Sequence, residues 1–144
     1  MKKRIFRYRA VGIILFLTEL FILLLFGEGT MISFEELKNS ESLTWENINL
    51  PFAFATSLTA LTCLIAICIK DKRSIKLFNI HYTIIAVFFV CGYLKQIFEG
   101  ADPDEDIFKF TAVFAVLAIL FLVVNLLKQK DVNFVDIEDI GSNA

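Results

Sequence analysis

Glu19 is the one charged side chain in residues 10–26, the run AVGIILFLTELFILLLF. An ionisable group in a segment apolar enough to cross a bilayer marks a functional site by default, because lipid offers it no partner. Its chemistry would be the holding of a proton, an ion or a polar ligand. The plainer alternative is an interhelical hydrogen bond that fixes packing. Gly12 lies two turns earlier on the same helical face and is expected to admit a close neighbouring helix there.

Three further polar residues fall inside apolar runs. Thr56 and Thr59 stand in residues 52–69. If that segment returns across the membrane, they reach about the depth of Glu19 and become its expected hydrogen-bond partners. A hydroxyl-lined ion path is the other reading of the pair. His81, the single histidine, titrates near neutral pH and is a conceivable proton relay with Glu19. Counted from the segment ends, however, the two lie a turn or more apart in depth. The spacing therefore favours an interfacial, hydrogen-bonded His81.

Other constellations are weak. Cys63, Cys68 and Cys91 all lie in apolar runs and form no C-x-x-C pair, so no metal, redox or disulfide framework is indicated. Asp102, Asp104, Glu105 and Asp106 lack the alternating oxygen ligands of a calcium loop. They fit a helix start instead, with Asp102 as N-cap and Pro103 in the first helical position. No phosphate-binding glycine loop occurs. No nucleophile has both a base and an orienting group in prospect, so no enzyme and no cofactor are expected.

The elements that position these residues are transmembrane helices. The 144-residue chain is 57% hydrophobic, above the 45–50% or so of soluble domains. Thirteen Val, Ile, Leu or Phe residues in 10–26 contribute about −4 to −8 kcal/mol to insertion, against about +3 for a central acid. The run exceeds the 7–15 or so apolar residues of a signal peptide, so an uncleaved span is expected. Further spans are expected at about 52–69, 77–94 and 107–127, giving one polytopic domain, an all-α, antiparallel four-helix membrane bundle. Residues 52–69 are rich in Ala, Thr and Ser and read as the central packing helix. Thr111, Ala115 and Ala118 read as a small packing stripe on the fourth. Tyr82 and Tyr93 read as interfacial belt residues.

Eleven of the fourteen Lys and Arg residues fall in 2–9, 70–76 and 128–130. By the positive-inside rule both termini are then cytoplasmic, a layout suited to a bacterial inner (plasma) membrane. Residues 27–51 form the acidic outer loop. Gly27 and Gly29 are expected to end the first helix, and Ser33 with Glu36 to open a short extramembrane helix as a capping box. Glu35, Glu36, Trp45 and Glu46 are the candidate partner-binding residues. Partner recognition and simple capping of the bundle both remain open for this loop. The tail 128–144 alternates acids with apolar residues and fits either a partner-binding edge or a frayed end.

With a net charge of −2, nucleic-acid binding has no electrostatic support. The expected function is non-catalytic, with the lipid bilayer and a membrane protein partner or self-association as partners. A regulator, an assembly subunit or an immunity-type protein all fit. In gross layout the chain is similar to the small immunity proteins against pore-forming bacteriocins, although no motif carries that likeness. The alternative is an oligomeric proton, ion or small-solute transport subunit centred on Glu19.

Overall fold

Four α-helices account for nearly all of the described residues in the computed structural model. They are α1 (Arg9–Asn39), α2 (Asn49–Ile69), α3 (Ser74–Phe98) and α4 (Pro103–Leu126). The structure describes residues 5–39, 47, 49–71, 73–98 and 103–128, with side chains of 103–106 excepted. Each helix is long and apolar enough to cross a membrane, and the chain is accordingly a multi-pass membrane protein. Helices adjacent in sequence pack together, and the α1–α2 interface is the most extensive.

The first helix departs from the sequence expectation. It does not stop at Gly27 but runs on through residue 39, 31 residues in all. A helix of that length measures about 46 Å, whereas about 20 residues span the hydrocarbon core. Gly27 and Gly29 have open space where a side chain would stand, so neither marks a turn or a close approach. Ser33 and Glu36 lie inside a continuous helix, where the backbone N–H groups already have partners. The capping box and the separate short helix are therefore absent, and the segment is an extension of α1.

A built turn links α2 to α3. Lys70 adopts φ 55°, the left-handed residue of a helix end. Its N–H donates to Ile67 O at 3.1 Å, and the Asp71 N–H donates to Ala66 O at 3.1 Å. This is the Schellman pattern with lysine in the place glycine usually takes. Asp71 then starts α3: its Oδ1 accepts from the Arg73 N–H at 2.9 Å, and the fully buried Ser74 hydroxyl reaches back to Ala66 O at 3.2 Å. At the other junction, α4 opens on Pro103, where a missing N–H costs nothing; Asp102 lies outside the described residues.

Aromatic side chains fill the interior. Phe6, Val11, Leu15, Cys63, Phe78, Tyr82, Ile85, Leu117 and Val124 form the core. Tyr82 is fully buried and packs between Phe78 and Phe121, so it is a core residue and not part of an interfacial belt. Tyr93 packs edge-on to Phe110 at 5.0 Å. On α4 the sequence pattern reads the wrong face. Thr111, Ala115 and Ala118 are exposed, while Leu117 and Val124 are buried. Bulky rings, not small residues, join α4 to α3.

Polar contacts close the remaining seams. Asn79 and Asn125 exchange two amide hydrogen bonds across α3 and α4, at 2.9 and 3.2 Å. The N-terminal segment folds back: the Arg7 N–H donates to Leu127 O at 2.9 Å, Phe6 is buried beside Phe78, and the position where Gly12 would carry a side chain faces Phe6 at 3.8 Å. Gly12 thus meets the chain's own terminus, not a neighbouring helix. Asn79→Leu is expected to destabilise the bundle by about 0.6–1.7 kcal/mol, the range for interhelical hydrogen bonds in membranes. Reversible unfolding in mixed micelles measures this, and an unchanged stability would remove the amide pair from the forces that hold α4.

Candidate functional site

The site is built from three helical faces. On α1, Val11, Leu15 and Glu19 follow one another at four-residue spacing and are its buried residues. On α2, the buried face runs Ala53, Thr56, Ala60 and Cys63. Its small side chains let α1 lie close, so nothing bulky separates Glu19 from the helices behind it. On α3, Ser74, Phe78, His81, Tyr82 and Ile85 are buried. These three faces converge on the carboxylate of Glu19.

Glu19 Oε2 lies 3.1 Å from His81 Nε2, and both side chains are 0% exposed. The sequence expectation separated the two by a turn or more and left His81 at the interface. The structure corrects the separation: it brings the two groups level and buries His81 fully inside the bundle. The contact is within ion-pair distance, yet neither atom has an aligned hydrogen bond. Thr59 supplies the other side of the ring, with Oγ1 at 2.8 Å from His81 Nδ1.

Thr59 decides which ring nitrogen carries hydrogen. Its hydroxyl lies 2.8 Å from Ala55 O and 3.1 Å from Thr56 O, both of them acceptors, and its single proton is assigned to these carbonyls. The oxygen is then free to accept from His81 Nδ1–H. Assigned from this network, the imidazole presents Nε2 to Glu19. The expected bonds from Thr56 and Thr59 to Glu19 are not what forms. Thr59 binds His81, and the Thr56 hydroxyl is fully buried without a hydrogen-bond partner.

Two residues belong to the site that sequence reasoning left out. The Tyr82 phenol and the Cys63 thiol both lie within electrostatic reach of the Glu19 carboxylate. Tyr82 also flanks the His81 ring, with centroids 5.5 Å apart. A signal for each existed. Cys63 continues the Thr56–Ala60 face of α2 at three-residue spacing, and Tyr82 continues the Ser74–Phe78 face of α3 at four. No group of three or more His, Cys, Asp or Glu residues that would suit a metal ion occurs among the described residues.

The candidate partner-binding residues lie elsewhere. Glu35 and Glu36 are exposed on the extension of α1, about 24 Å along the helix from Glu19. Trp45 and Glu46 lie outside the described residues. A groove of about 540 Å³ opens between the two helices, lined by Thr30, Met31, Phe34 and Glu35 of α1 and by Leu50, Pro51 and Phe54 of α2. Met31 and Phe34 are 71% and 59% exposed. No protein-family model, curated protein or solved structure matches this chain.

The Glu19–His81 contact should behave as a coupled pair. Glu19→Leu and His81→Leu each strand a buried polar partner, at a cost of about 1–3 kcal/mol. Replacing both by Leu removes the stranded group and should cost less than the two single changes added together, with a coupling of about 0.5–3 kcal/mol. Unfolding of the four proteins in micelles gives this directly; strict additivity would show that the two side chains do not interact.

Proposed function

We propose that this protein is a small multi-pass membrane protein that acts non-catalytically by holding a membrane partner protein at its outer face. A regulator, an assembly subunit or an immunity-type protein against a pore-forming toxin would each act so. The observation that carries this reading is the groove at the outer end of α1 and α2. Counted from residue 10, about 20 residues exhaust the hydrocarbon core near residue 29. Met31 and Phe34 then stand at or beyond the headgroups, exposed on a helix with Glu28, Glu35 and Glu36. Apolar side chains held outside the bilayer next to carboxylates make a surface suited to a protein, not to lipid.

The threading we propose is antiparallel, with both termini cytoplasmic in a bacterial inner membrane. The clustering of Lys and Arg supports it. So does the order of contacts: residue 59 meets 81 while 66 meets 74, and 79 meets 125 while 93 meets 110. A non-catalytic role is favoured because the Thr59 hydroxyl proton is directed at backbone carbonyls, so this hydroxyl is not poised as a nucleophile for His81.

A second reading, an oligomeric proton, ion or small-solute transport subunit, draws on the buried Glu19–His81 contact. Purification from native membranes in mild detergent separates the two. The docking reading expects a stoichiometric second protein, recovered about tenfold less well with Phe34→Glu, as for a central interface residue, while membrane insertion stays normal. Recovery of the chain with itself alone would overturn it and favour the transport subunit.

A further inference from the structure

Buried polar groups nearly always find partners, yet one cluster here holds several that do not. Glu19 Oε1 and Oε2, His81 Nε2, the Thr56 hydroxyl and the Tyr82 hydroxyl are all buried without an aligned hydrogen bond. Two of these atoms, Oε2 and Nε2, face each other at 3.1 Å between fully buried side chains. Neither can remain as the cluster draws them unless a hydrogen lies between them. A bare carboxylate against a bare ring nitrogen would be two acceptors in contact with no donor.

The proton count follows from Thr59. With Nδ1–H donated to Thr59 Oγ1, the ring keeps one hydrogen whatever happens at Nε2. One further proton between Oε2 and Nε2 makes the pair neutral overall, whether it sits on oxygen as a carboxylic acid or on nitrogen as an imidazolium beside a carboxylate. Loss of that proton leaves one net negative charge in a dry bundle, which is the costly state. Gain of a second leaves a net positive charge at similar cost.

We propose that Glu19 and His81 together form an intramembrane binding site for one exchangeable proton, held between Oε2 and Nε2, with Thr59 fixing the ring so that Nε2 faces the carboxylate. The proton enters a site that joins α1, α2 and α3. Its surroundings set the site apart from other titrating groups. Among the described residues, the ionisable neighbour from α2 is the Cys63 thiol, and from α3 the Tyr82 phenol. On α1, the residues one turn either side of Glu19, Leu15 and Phe16 before it and Ile22 and Leu23 after it, are apolar. From α4 the nearby contact is the Phe121 ring, against Tyr82. Among the described residues, no other charged side chain is in contact with the pair. The inference deepens the second reading by naming the ligand of its site, but it needs no flux: a proton can be held here without being carried across.

The single histidine makes the test direct. The full chain, with histidine labelled with nitrogen-15 and reconstituted in lipid bilayers, yields one pair of ring-nitrogen resonances. The expected result is that Nδ1 stays protonated throughout, while Nε2 moves through one transition as pH is raised over the range in which the protein remains folded. Glu19→Gln should abolish the transition, because the amide cannot release a proton and nothing would balance a charged ring in a dry site. Glu19→Asp should restore one with a shifted midpoint. Should Glu19→Gln fail to fold, Thr59→Val is the second variant; removing the acceptor for Nδ1–H should mix the two ring tautomers, and Thr59→Ser should restore one. An Nε2 resonance that does not move in the unaltered protein, or a transition that persists unchanged in Glu19→Gln, would overturn the proposal. Neither result bears on capture of a partner at the α1–α2 groove, so failure here and failure of the docking reading are separable.

Discussion

The contact between Glu19 and His81 constrains everything around it, because the bilayer gives a carboxyl group no alternative. A charged or strongly polar side chain at this depth is tolerated only if other helices meet it. Three of them do. The small face of α2 brings α1 close, the α3 ring arrives level with the carboxylate, and Thr59 holds that ring from the far side. Remove the acid, and the fully buried His81 ring is left facing α1 without its polar neighbour.

The rest of the interior serves the same register by apolar means. Phe78, Tyr82 and Phe121 form a run of ring contacts from α3 into α4, and Phe6 folds in from the N-terminal segment to cover Phe78. Rings meeting edge to face gain some energy beyond their buried area. This suits a membrane interior, where the hydrophobic effect itself does not drive helices together. The Asn79–Asn125 amide pair and the Schellman turn at Lys70 then fix ends and depth. These well-formed bonds contrast with the Glu19 cluster, whose buried polar atoms lack aligned hydrogen bonds.

The long α1 couples two regions of different character. Its N-terminal half is an apolar helix with one buried acid. Its C-terminal end carries exposed apolar and acidic residues beside the start of α2. One unbroken helix spans both. The C-terminal surface is thereby held at a set angle by packing deep in the bundle, as a surface built on a regular element.

Four apolar segments, and the oddity of Glu19, Thr56, Thr59 and His81 within them, were legible in the sequence, because hydropathy and length alone decide which residues can sit in lipid. Helix ends were less legible. Gly27 and Gly29 read as a stop, yet with open space around them they are accommodated in a helix whose backbone bonds already have partners. The packing face of α4 was misread for a related reason: small residues permit close approach, but only the neighbouring helix determines whether rings or small residues are used. Depth was the decisive unknown. Counting from segment ends put Glu19 and His81 apart, whereas the packed helices put them 3.1 Å apart. An acid inside an apolar run needs a partner in the bundle, since lipid supplies none, and that much follows from residue order alone. That His81 is the group that meets it follows from the packed helices, because helix register is set by how whole faces interlock and not by any one residue.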